Sequence, residues 1–147
     1  MPEAVQKIEA LVYRYAERMD AGDFTGVAEL FDDAVYRASD GPELKGAAAL
    51  EKTLRAMVRL YDGVPATKHV TTNVVVEVGA DGASAVARSY FTVLQALADF
   101  PLQVVVAGRY ADRFARDGET WRFVERVVSM DLIGDLSRHL SHFARSR

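Results

Sequence analysis

The sequence predicts an α+β fold, in which a cone-shaped, curled antiparallel sheet is covered by three N-terminal helices. Three observations predict it. Apolar residues recur at helical spacing as far as Tyr61. Beyond that point the period shortens, and long runs rich in valine and threonine take over. The turns between those runs, Gly79-Ala80-Asp81-Gly82 and Asp117-Gly118, are short enough to join antiparallel neighbours.

Each element has its own signal. From Ala4 to Ala21, Val5, Ile8, Val12, Tyr15 and Met19 form one helical stripe, and Gly22 stops it. Asp23 caps a short second helix with Val27, Leu30 and Phe31 facing inward. Val35 to Ala38 reads as a strand, and Ser39-Asp40-Gly41-Pro42 as a turn. A third helix is expected from Ala47 to Tyr61, striped by Leu50, Leu54, Met57 and Tyr61. Four strand runs follow: Thr67 to Val78, Ser84 to Ala98, Leu102 to Ala115 and Thr120 to Ile133. Strands this long twist and curl around whatever covers them. The tail from Gly134 to Arg147 is expected to form a short helix carrying Leu136, Leu140 and Phe143.

Composition narrows the function classes. The 147 residues (1–147) suit one domain, with no linker, repeat or low-complexity segment. The lack of cysteine excludes a disulfide framework and a thiol nucleophile, and fits the cytoplasm. A net charge of -3 with mixed signs gives no basic field for nucleic acid. The start, MPEAVQKIEA, carries no secretory pattern. The longest apolar-rich stretch, Ser89 to Ala107, is interrupted by Gln95, Asp99, Pro101 and Gln103, so no membrane span is expected.

Few residues can do chemistry. His69 stands near the start of a long strand. By alternation it shares a polar row with Thr71 and Asn73, and that row either lines a cavity or lies at a hydrogen-bonded edge. Asp20 closes the first helix roughly 80° from the centre of the apolar stripe, on the flank of Tyr13 and Ala16. It either faces solvent or leans over the rim of a cavity. His139 and His142 read as surface tail, since no carboxylate motif completes a metal site. Arg88 and Tyr90 share one strand face. Tyr110 and Trp121 read as packing residues, and Asp112 as half of a surface or cross-strand ion pair.

These residues resemble a known family. Tyr15-Ala16-Glu17-Arg18-Met19-Asp20-Ala21-Gly22-Asp23-Phe24 resembles the first-helix signature of SnoaL-like proteins, in the nuclear transport factor 2-like, cystatin-like superfamily. Lys68-His69-Val70-Thr71-Thr72-Asn73 is similar to the His-x-x-x-Asn strand of that group. Gly108-Arg109-Tyr110-Ala111-Asp112-Arg113-Phe114, with Gly118 and Trp121-Arg122-Phe123, is similar to its last hairpin. Scytalone dehydratase, hexachlorocyclohexane dehydrochlorinase and bile acid dehydratases belong to this branch.

The resemblance implies a cofactor-free and metal-free lyase or isomerase. His69 would remove a proton from carbon and Asp20 would orient the imidazole, on a hydrophobic cyclic substrate. Tyr13, Asn73, Arg88 and Tyr90 are the expected substrate-binding residues. Met19 stands where scytalone dehydratase has a tyrosine, and Tyr90 falls where it has a second histidine, so scytalone is not the expected substrate. The dehydrochlorinase has an arginine near the end of its penultimate strand; Arg113 and Arg116 are both near that place, an extra residue in Asp117-Gly118-Glu119-Thr120 shifts the register, and neither is assigned as catalytic. Two alternatives stay open: a non-catalytic binding or assembly module, and a polyketide cyclase or steroid-isomerase-like enzyme using Asp20 alone. The resemblance also implies a homodimer or homotrimer.

Overall fold

A computed structural model describes residues 2–141. Helix α1 (Pro2–Asp20) buries Ile8, Leu11, Val12, Tyr15, Ala16 and Met19, the stripe that a 3.6-residue period requires. Gly22, at φ 72°, turns the chain out of the helix. A Cβ there would lie 2.3 Å from the carbonyl oxygen of Gly63. Glycine therefore lets the end of α1 rest on the loop that leads into the third strand. Helix α2 (Phe24–Glu29) is capped by Asp23, whose carboxylate accepts from the Gly26 amide at 2.9 Å.

Strands β1 (Val35–Ala38) and β2 (Leu44–Lys45) form a small antiparallel pair, followed by α3 (Ala47–Met57). Helix α3 stops four residues before Tyr61. Val58 is extended and bridges to Leu140, while Tyr61 and Val64 close a tight turn through Asp62 and Gly63, both at positive φ. The apolar stripe alone could not reveal this, because the competing partner for Val58 lies in the tail.

The rest is a meander: β3 (Thr67–Val78), β4 (Ser84–Leu97), β5 (Phe100–Asp117) and β6 (Thr120–Ile133). The sheet order is β2-β1-β6-β5-β4-β3. All pairs are antiparallel except β1 with β6, which is parallel. That pairing is open to strands this far apart in sequence, since parallel neighbours need a long crossover. The helices cover the concave face, and the core lies between them and the inward residues of β4, β5 and β6. Among the described residues, no helix is long and apolar enough to cross a membrane.

Two of the sheet's bulges show how side-chain direction is reset. In β3, Thr72 opposes Tyr90 but Val75 opposes Arg88, so one residue is extra, and Asn73 takes φ 56° to accommodate it. Before the bulge Thr67, His69 and Thr71 face in; after it Val74, Val76 and Val78 do. In β6 the register slips between the partners of Arg113 and Phe114, so Phe123 and Arg126, three apart, are both buried.

The tail departs from expectation. Residues 134–141 form no helix. They run as a strap across the open end of the cone. Gly134 donates to the Val105 carbonyl, the Arg59 amide to the His139 carbonyl, and the Ser141 amide to the Met57 carbonyl. Leu136 and Leu140 are buried beneath it. His142 and Phe143 lie outside the described residues.

Candidate active site

Asp20 and His69 meet where the end of α1 crosses the start of β3. Strand β3 is a sheet edge, and the amide of His69 faces away from β4's ladder toward the helix. That amide donates to Asp20 Oδ2 at 2.7 Å. The Thr67 hydroxyl donates to Oδ1 at 2.9 Å, and His69 Nδ1 lies 2.6 Å from the same oxygen. A carboxylate at the negative end of a helix is electrostatically misplaced; these three donors make the position favourable. Burial by itself raises the Asp20 carboxyl. The hydrogen bonds and charge of His69, its backbone amide and Thr67 outweigh that and hold it below the usual carboxylate range.

An ionised carboxylate only accepts hydrogen bonds, so the nitrogen facing it carries the proton. The neutral tautomer of His69 is then Nδ1–H, and Nε2 keeps its lone pair. The imidazole side chain is 6% exposed and lines a cavity of about 120 Å³ under the helices. Tyr15, Tyr36, Phe91, Tyr110 and His139 share that lining. The Tyr15 and Tyr36 hydroxyls lie 2.7 Å apart. Whichever accepts keeps its own hydrogen for a ligand. Burial pushes the Tyr15 phenol up, and Tyr36 and Tyr110 well up, so all three stay protonated donors.

Beneath the tyrosines lies a buried ion pair. Arg126 donates to Asp112 through Nε and Nη2, both at 2.8 Å, and neither side chain is exposed. Its guanidinium lies 3.6 Å from the Tyr110 ring centre and 4.4 Å from that of Tyr15. Burial works against its charge, but Asp112 more than offsets this and raises the Arg126 pKa.

The expected substrate-binding residues do not reach this cavity. Asn73 is turned outward by its own bulge. Arg88 and Tyr90 are outward by simple alternation along β4, whose odd-numbered residues Ser89, Phe91 and Val93 point in. Tyr13 is 44% exposed, on the far side of α1 from Tyr15's contacts. Arg113 pairs with Glu125 on the outer face and Arg116 donates to the Gly82 carbonyl, so neither approaches His69.

Conversely, His139 is no surface residue. It is 4% exposed, with its ring centre 6.1 Å from that of His69. Thr67, Tyr36 and Arg126 also escaped the sequence reading. Tyr15 had a signal, its place on the helix stripe. His139 had none, because its burial depends on how the strap pairs.

The model of the SnoaL-like domain family matches residues 2–127. The chain belongs to this family. No curated protein matches it. Among solved structures it is similar to Rv3472 of Mycobacterium tuberculosis, a function-unknown protein solved as a single-residue variant. The two are 28% identical, with TM-score 0.73, covering 88% of this chain and 73% of that one. It is similar to a nuclear transport factor 2-like protein with a cystatin-like fold from Novosphingobium aromaticivorans, at 25% identity and TM-score 0.69, covering 87% and 82%. A provisionally named scytalone dehydratase from the same organism shares the fold, at 20% identity and TM-score 0.70, covering 88% and 85%.

Proposed function

We propose that this SnoaL-like protein is a cofactor-free lyase or isomerase in which Asp20 and His69 abstract a proton from a carbon of a small cyclic substrate. The 2.6 Å contact between His69 Nδ1 and Asp20 carries this reading. It orients the ring, leaves Nε2 as the base, and stabilises the imidazolium once formed. The Tyr15–Tyr36 pair supplies a donor for a carbonyl oxygen, which would take up the charge left when the neighbouring C–H proton departs. The likeness to a provisionally named scytalone dehydratase suits elimination of water.

The cavity limits the substrate. An apolar cavity of about 150 Å³ takes up a single benzene ring, so a cavity of about 120 Å³ limits the substrate to one small ring. The aspartate-only alternative is less well supported. Both Asp20 oxygens are engaged by protein donors, and those donors weaken the carboxylate as a base.

Proton abstraction is measurable without the natural substrate. The protein is expected to speed deuterium exchange beside the carbonyl of 3-hydroxycyclohexanone in heavy water, read by NMR. His69→Gln should slow that exchange on the order of 10²- to 10⁴-fold. Equal exchange by the variant would remove His69 as the base. No exchange above buffer with either protein would leave the binding-module reading.

A further inference from the structure

The strap brings a second imidazole to the site. His139 packs edge-on beside His69 in the cavity lining, with ring centres 6.1 Å and ring planes 69° apart. Its backbone is tied down on both sides. The His139 carbonyl accepts from the Arg59 amide, and the Ser141 amide and hydroxyl bond to Met57 and Ala56. Gln95, itself 1% exposed, donates to the carbonyls of Pro65 and Arg138, stitching the strap to the loop before β3. The fold therefore fixes the His139 backbone through main-chain bonds that do not involve its ring.

The side chain is nevertheless unsatisfied. His139 Nδ1 is buried with no hydrogen-bond partner among the described residues. A buried polar atom without a partner is unfavourable, and an apolar residue of similar size would pack there at less cost. His69 has a fixed partner; the His139 ring lines the same cavity with no hydrogen-bond partner among the described residues.

We propose that His139 is a substrate-binding residue that holds a hydroxyl on the substrate ring, in a 1,3-relation to the oxygen bound by Tyr15 and Tyr36. This deepens the elimination reading and rests on it for the chemistry. In that reaction His69 Nε2 takes the proton beside the carbonyl. The C–H electron pair becomes the new C=C bond as the C–O bond breaks with its pair on oxygen. The departing hydroxide takes the proton from the His69 imidazolium and leaves as water. Burial, then the neighbouring His69 charge, lower His139 to about 4. A neutral ring keeps both a donor and an acceptor for a hydroxyl and adds no second positive charge beside the His69 imidazolium.

Two inert probes test it: phenol, with one hydroxyl, and resorcinol, with two in a 1,3-relation. Protein labelled with ¹⁵N-histidine is titrated with each. Resorcinol is expected to move the ring nitrogens of both His69 and His139, and to bind more tightly than phenol. In His139→Phe, resorcinol should weaken roughly tenfold to the level of phenol, while phenol affinity stays unchanged; His139→Gln should restore most of the difference. A purely structural histidine would lower both affinities alike, and that result would overturn the proposal. Movement of His139 alone would keep the hydroxyl-binding assignment and remove His69 as the base. If neither ring moves, both assignments fail.

Discussion

Two bidentate guanidinium–carboxylate pairs tie β5 to β6, one on each face of the sheet. Arg126 grips Asp112 with two bonds of 2.8 Å on the inside. Arg109 grips Asp131 with bonds of 2.8 and 2.9 Å on the outside. The geometry is the same, but the surroundings are not. The inner pair has no exposed side-chain surface, whereas the outer side chains are 57% and 39% exposed. Water screens the outer pair and solvates either partner if the other is lost. Around the inner pair, the rings of Tyr15, Tyr110 and Phe123 stand where water stands around the outer one. Bond length does not say what an ion pair is worth; the medium around it does.

The largest expected effect breaks the inner pair. Asp112→Ala leaves an unpaired buried guanidinium and should cost about 3–5 kcal/mol of stability in urea denaturation. The same tyrosine layer borders the cavity, so probe binding should weaken with it. A cost no greater than that of breaking the outer pair would end the comparison.

A second test sets burial against pH. The His139 pKa is lowered to about 4, against 6.5 for an unperturbed histidine. Between those values the unfolded chain binds a proton at this position and the folded chain does not. Stability is therefore intact above about pH 6.5 and falls as the pH drops toward 4, by about 3 kcal/mol on this account. His139→Phe should flatten that limb of the stability curve, measured by denaturation at a series of pH values. An unchanged acid limb would mean that the ring is solvated or already charged in the folded protein. Asp20, held below the usual carboxylate range, leaves a further acid loss that this variant does not remove.

The smallest effect belongs to the outer face. Asp131→Ala should leave the denaturation midpoint unresolved from that of the parent, and raising the salt should change neither protein's rank. A clear loss would show that the outer face is covered in solution. Val75, Val86, Val104 and Leu132 are exposed there and would then share a partner's interface.

Much of the frame was legible because it rests on local periods. The stripe from Ile8 to Met19, the Asp23 cap, the exit at Gly22 and the four strand runs each follow from residues a few positions apart. Asp20 and His69 were singled out by their motifs, and their direct contact needed only that the end of α1 cross the start of β3. Tyr13, Asn73, Arg88 and Tyr90, expected to bind substrate, lie outside the His69 cavity, and the last three share a hollow on the outer face of the sheet. Strand alternation tells which residues share a face, but not which face turns inward. One extra residue at Asn73 exchanges the two faces within a single strand.

What the sequence determined by itself was the order of helices and strands, the capping residues and the pair of side chains placed at the rim. Tertiary structure alone decided the rest: that β1 runs parallel to β6, that a bulge buries Arg126, that α3 ends early so Val58 can meet Leu140, and that His139 lies inside. Each of these depends on a partner distant in the chain. A local period records how a segment can fold, while burial is set by what arrives from elsewhere to cover it.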